Sequence, residues 1–152
     1  MSKIKRLIKI NQIKRSMDRQ EPFKLHLDCK KWTKVIKKLY DKADRVLIDA
    51  PCSGLGVLRR NPDAKWKLQP DFIEKIKGTQ QEILQQYSKM VKVGGQLVYA
   101  TCSVLPSENQ KQVDKFLASE SGKNFTFVED KKVLAHKSGF DGFYMALLER
   151  KQ

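Results

Sequence analysis

The chain has no glycine before Gly54, and only eight in its 152 residues. A glycine-rich turn that lets backbone approach a nucleotide closely therefore has no place in the first third of the sequence. Cysteine is sparse as well: Cys29, Cys52 and Cys102, with no C-x-x-C spacing. That argues against a disulfide framework and against the common zinc motifs, and it suits a reducing cytoplasm. No apolar run approaches the ~20 residues of a bilayer span, and no charged-then-apolar leader opens the chain, so no membrane partner is expected. Acids are scarce in one region only. Residues 1–45 hold fifteen Lys and Arg against five Asp and Glu, residues 46–152 hold sixteen against twelve, and the net charge is +14. A basic front third favours a nucleic-acid partner, since phosphate contacts dominate that kind of binding; a solvated, Lys-rich helix face accounts for it equally well. The length and a hydrophobic content of 40% suit a single domain over residues 1–152, and no repeat or linker divides it.

What the sequence does have is a design used twice. Val46-Leu47-Ile48-Asp49 is a short apolar run that stops at Ala50-Pro51-Cys52-Ser53-Gly54, which predicts a strand covered on both faces, as in a parallel sheet. Gly94-Gly95-Gln96-Leu97-Val98-Tyr99-Ala100-Thr101-Cys102-Ser103 is again a strand with a thiol and a serine at its far end. Between them, Ile73, Ile76, Ile83, Leu84, Tyr87, Met90 and Val91 keep a period near 3.6, predicting a helix from Pro70 to Val91 that Gly94-Gly95 terminates. Strand, helix, strand makes a parallel crossover. Ligands in open α/β sheets are handled at the carboxyl ends of strands, so Asp49, Cys52 and Cys102 fall where a site is expected. One cysteine alone serves equally as a small buried hydrophobe; two, each after a strand and each before a serine, are harder to explain that way.

Upstream, Ile4, Leu7, Ile8 and Met17 among lysines predict an amphipathic helix over about 3–19, followed by a strand at 23–27 and a helix over about 31–42. Arg59, Arg60 and Lys65 beside Trp66 suit phosphate contact and base stacking on RNA, although Trp66 fits at least as well as an anchor of its loop to the core. Ser107 and Gln110 form the S-x-x-Q pattern of a capping box before a helix that buries Val113, Phe116 and Leu117. Phe125–Val128 and Tyr144–Leu148 are strands expected to pair antiparallel, and Gly78 inside the long helix costs about 1 kcal/mol relative to alanine.

Asp49-Ala50-Pro51-Cys52-Ser53-Gly54 with Thr101-Cys102-Ser103, supported by Arg59-Arg60-Asn61-Pro62, Lys65-Trp66, Pro106-Ser107-Glu108-Asn109 and Asp141-Gly142-Phe143-Tyr144, resembles the Sun-type RNA cytosine-5 methyltransferases over about residues 44–150. The resemblance implies an α/β, Rossmann-like methyltransferase fold, RNA as partner and S-adenosylmethionine as cofactor. It gives Cys102 the role of nucleophile toward C6 of cytosine, Cys52 a part in releasing the product, and Asp49 the polar edge of the base. It places Asp28, Asp49 and Pro51 toward the cofactor and Arg59, Arg60 and Lys65 toward RNA.

It also marks an absence. Sun-type enzymes hold the cofactor on a glycine-rich turn after their first strand, which cannot lie upstream of Asp49 here. The expectation is an incomplete fold, with a basic segment over 1–45 and the catalytic-motif half over 46–152. The first two central strands would be missing and tight cofactor binding lost. The open edge of the 46–49 strand would be filled by the 23–27 strand or by a second copy of the chain in a homodimer. A basic RNA-binding module that keeps the fold without turnover is the alternative. A thiol-exchange protein would explain the cysteines but not the charge or the arginines.

Overall fold

The computed structural model describes residues 8–9 and 36–151. Asp28, Cys29, the 23–27 strand, and nearly all of the expected 3–19 helix lie outside the described residues. The strands are β1 (Ile8–Lys9), β2 (Ala43–Asp49), β3 (Val91–Thr101), β4 (Phe125–Val133) and β5 (Phe143–Arg150), and they form one sheet in the order β1-β2-β3-β5-β4. β2 runs parallel to β3, with Val46 opposite Leu97 and Asp49 opposite Ala100. β5 then returns antiparallel to both β3 and β4, so the expected antiparallel ending is present, with β4 five residues longer than the Phe125–Val128 run suggested.

The crossover from β2 to β3 carries a short helix, α1 (Ala64–Lys67), and a long one, α2 (Pro70–Tyr87). α2 starts with proline at its first position and Asp71 in its first turn, both suited to a helix N-terminus. Its buried side chains include Ile76, Ile83, Leu84 and Tyr87, of which Ile83, Leu84 and Tyr87 meet Val46, Ile48, Leu97, Tyr99, Ala146 and Leu148 in a common core. A third helix, α3 (Gln110–Leu117), adds Val113 and Phe116 to the same core, with the Phe116 ring 5.6 Å from that of Phe125.

Several expectations are corrected. The long helix does not reach Val91: a 3-10 turn at Ser88–Met90 ends it, and Gly94-Gly95 lie inside β3. There they form an irregularity, because a step of two residues along β2 (Ala43 to Arg45) is matched by a step of five along β3 (Val91 to Gln96). Gly94 has φ +73°, and a side chain on Gly95 would strike the Lys92 carbonyl at 2.8 Å. The strand at 46–49 is not equally covered on both faces; Val46 and Ile48 are buried, whereas Leu47 is half-exposed. Ile8–Lys9, expected as helix, is extended and pairs parallel with Val46–Leu47. Ile8–Lys9 thus takes the part of the β2 edge at Val46–Leu47. Residues 36–38 are helical, but the expected helix over 31–42 stops there in turns at 39–42.

Candidate functional site

Cys52 and Cys102 each stand just past the end of a strand. Because β2 and β3 are neighbours in parallel register, the two chain exits lie side by side. Backbone bonds continue the pairing beyond the strands: the Ala50 N–H donates to the Ala100 carbonyl at 2.8 Å and the Gly56 N–H to the Cys102 carbonyl at 2.9 Å. The sulfurs consequently meet at 3.2 Å, both half-buried and both free thiols.

A contact that close is a hydrogen bond between the two thiols, and it couples their ionisation. The hydrogen bond from Cys52 holds the Cys102 thiol below its ordinary pKa, against burial and the Asp49 carboxylate, which push it up. The same bond, reinforced by burial, pushes Cys52 far up, with the Gly54 N–H opposing. Of the pair, Cys102 is the thiol that ionises more readily, and Cys52 is the one that keeps its proton and can donate it to that sulfur. That Asp49 acts on Cys102 also shows that the three catalytic candidates converge on one end of the sheet.

The residues after the thiols enter a buried polar network. Glu108, fully buried, accepts from the Ser53 N–H at 2.7 Å, from the Ser53 hydroxyl at 2.6 Å, from the Ser103 hydroxyl, and from Gln80 Nε2 at 3.3 Å. Gln80 Nε2 also donates to the Pro51 carbonyl at 2.9 Å. Asn109 ties down the other side: its Oδ1 accepts from Thr101 and its Nδ2 donates to the Ser103 carbonyl. The Ser107/Gln110 capping box does not form. The helix starts at Gln110 after Asn109 with no side-chain cap, and Gln110 Oε1 accepts instead from the Tyr144 hydroxyl at 3.0 Å. Glu108, Asn109 and Gln80 were given no role from sequence. The signals were present: a serine after each cysteine, and a glutamine on the apolar stripe of α2.

A second loop closes on the site. The Gly142 N–H donates to the Gly56 carbonyl at 2.7 Å, and a Cβ on Gly56 would lie 2.1 Å from the Gly142 oxygen. Arg59 Nη1 donates to the Gly139 carbonyl at 3.0 Å and Arg60 pairs with Asp141 at 2.5 Å, so both arginines hold the 139–141 loop. Trp66 is 75% exposed and does not anchor its loop to the core; Lys65 Nζ lies 4.7 Å over its ring.

Asp49 and Pro51 are the described members of the expected cofactor set. Asp49 is exposed at its strand end, but the Pro51 carbonyl is taken by Gln80. The glycines here are committed to packing and to sulfur: Gly56 bonds both neighbouring loops through its N–H and its carbonyl, and the Gly54 N–H is directed at Cys52. Asp28, the remaining member of the expected cofactor set, lies outside the described residues.

Residues 2–149 match the family model described as 16S rRNA methyltransferase RsmB/F. The chain is 41% identical over 127 residues to ribosomal RNA small subunit methyltransferase B of Pasteurella multocida, covering 78% of this chain and 28% of that protein. It is 43% identical over 108 residues to the protein of the same name from Proteus mirabilis, covering 71% and 25%. It thus spans about a quarter of the length of the curated relatives it matches. NSun6 from Pyrococcus horikoshii, solved with SFG, superposes with TM-score 0.67 and 26% identity over 79% of this chain and 33% of that one. A methyltransferase homologue from the same organism superposes with TM-score 0.63 at 21% identity, over 78% and 42%, and bears on the fold alone. Two cysteine turns brought together on a methyltransferase-like sheet, with a match running almost end to end, place this chain in the RsmB/F family of Sun-type rRNA cytosine-5 methyltransferases.

Proposed function

We propose that this chain carries the covalent-catalysis half of an RNA cytosine-5 methyltransferase. The observation that supports it best is the 3.2 Å contact between the sulfurs, which lowers the pKa of Cys102. C5 of cytosine is a weak nucleophile. Addition of the Cys102 sulfur to C6 forms an S–C6 bond and moves the C5–C6 π pair toward C5, where it can take a methyl group. Asp49, at the same strand end, holds the polar edge of the base and favours a proton at N3, offsetting the charge carried in by the thiolate. Once C5 is methylated, a base, water among the candidates, takes its proton; the C–H electron pair re-forms the C5–C6 double bond as the S–C6 bond breaks, returning that bond's pair of electrons to Cys102. Cys52 assists this release as the thiol already hydrogen-bonded to the leaving sulfur. The methyl donor in this reading is S-adenosylmethionine, with Asp49 and Pro51 as the described residues that the family resemblance directs toward it. Lys65 and the exposed Trp66 offer charge and a stacking face to RNA, while Arg59 and Arg60 shape the loop beside them.

The test is a chimera in which this chain replaces the matching segment of the Pasteurella multocida relative. Methyl transfer to small-subunit rRNA is expected. Cys102→Ala should abolish it, and Cys52→Ala should accumulate a covalent protein–RNA adduct visible on a denaturing gel. Transfer that survives Cys102→Ala, or an adduct formed through Cys52, overturns the assignment of roles. A folded chimera that binds RNA and never transfers methyl groups would instead mark the chain as a binding module.

A further inference from the structure

We propose that Glu108 is a positioning residue that sets the spacing of the two thiols. The proposal rests on the reading above for its purpose, but not for its evidence. Cys52 and Cys102 belong to loops fifty residues apart in sequence, and each cysteine is followed by a serine whose hydroxyl turns inward. Both hydroxyls donate to the same carboxylate oxygen, Oε2 of Glu108. They also lie 3.2 Å from each other. The other oxygen, Oε1, accepts from the Ser53 backbone N–H at 2.7 Å and from Gln80 Nε2 at 3.3 Å.

The carboxylate is itself held from behind. The Tyr99 hydroxyl, buried in β3, donates to the Glu108 carbonyl at 2.8 Å, and Asn109 fixes the Thr101–Ser103 backbone. The two cysteine turns are thus fastened to one fully buried acid within one residue of each sulfur-bearing position. No other described side chain bonds both turns in this way. A carboxylate has four acceptor sites and no proton to spare, so it can take both hydroxyls and the amide at once. An amide in its place keeps one acceptor oxygen; with that oxygen at the Oε2 position its N–H groups face the Ser53 N–H and Gln80 Nε2, two donors that then lose their acceptor, and with the amide reversed the two hydroxyls lose theirs.

The measurement needs neither RNA nor cofactor. In the full chain with Cys29→Ser, diamide takes two electrons and two protons from Cys52 and Cys102 and leaves a disulfide; its rate reports how often the sulfurs are in contact. Thermal unfolding is recorded alongside, together with the pH profile of Cys102 alkylation, which a purely structural role would leave unmoved. Glu108→Gln and Ser103→Ala should each slow disulfide closure roughly tenfold, in keeping with the steep distance dependence of intramolecular reactions. Ser103→Ala, which leaves the Glu108 charge in place, should move the alkylation profile of Cys102 toward that of an ordinary thiol; in Glu108→Gln, loss of a charge that raises the Cys102 pKa opposes that shift, so closure is the readout there. Combining them should slow closure little further, because both cut the same link. If Glu108→Gln does not fold, Ser103→Ala carries the test. Closure and alkylation unchanged in either folded variant overturns the positioning role and leaves the methyltransferase reading standing. Failure of the chimera to methylate with closure still dependent on Glu108 overturns that reading alone.

Discussion

Replacing Gly56 by alanine tests how tightly the two loops around the thiols are closed. The added Cβ would sit 2.1 Å from the Gly142 oxygen and 2.7 Å from the Cys102 oxygen, where about 3.3 Å is the closest comfortable carbon–oxygen approach. The loops must part by roughly an ångström, which stretches both the Gly56 N–H bond to Cys102 and the Gly142 N–H bond to Gly56. Each lost bond costs about 1 kcal/mol, and overpacking adds about 1–3 kcal/mol. Restricting the unfolded chain returns less than about 1 kcal/mol. The expected net loss is about 2–4 kcal/mol, seen in urea unfolding or as a fall in Tm of roughly 5–15 °C. Gly78→Ala is the matched control. Gly78 is an exposed helix residue with nothing within 4 Å of an added Cβ, so the same substitution there should stabilise by about 1 kcal/mol. Stability of Gly56→Ala within ~0.5 kcal/mol of the parent, the range of an ordinary surface change, would refute the close approach.

Iodoacetamide should alkylate Cys102 at pH values below those needed for an ordinary thiol, since a lowered pKa leaves thiolate present further down the pH scale; Cys52→Ala should shift that profile upward, and an unmoved profile would remove Cys52 as the donor. Trp66→Ala should weaken RNA binding by about 1–3 kcal/mol in filter binding without changing Tm, because the ring is 75% exposed. Neutralising Lys65 should reduce the salt slope of RNA binding by roughly one unit if it contacts a phosphate, whereas Arg60→Ala should also loosen the 139–141 loop through loss of Asp141 pairing. Calorimetry with S-adenosylmethionine should detect no micromolar affinity in the 152-residue chain; heat of binding in that range would show that the cofactor site is more complete than its glycines suggest.

Sequence alone determined the crossover. Two apolar runs of strand length on either side of a 3.6-period helix leave little choice but a parallel pair, and a parallel pair puts both cysteine-bearing ends at the same edge. Asp49, Cys52 and Cys102 were legible for that reason, because topology brings them together without fine packing. The antiparallel pairing of β4 and β5 was legible as two β-rich runs with a turn between them. Other readings failed where a local pattern competed with a distant partner. Gly94-Gly95 looks like a helix stop, but β3 starts earlier and absorbs the pair as an irregularity against β2. Ser107 and Gln110 match a capping box, yet the Tyr144 hydroxyl engages the glutamine amide. Ile8–Lys9 has helical spacing around it and is nonetheless extended, because the edge of β2 offers backbone partners that periodicity cannot register. Glu108 stands in the Pro106-Ser107-Glu108-Asn109 run, yet its partners lie far away in sequence: only the tertiary structure brings Ser53, Ser103 and Gln80 around it, so that an acid is buried, bonded and set behind the two thiols.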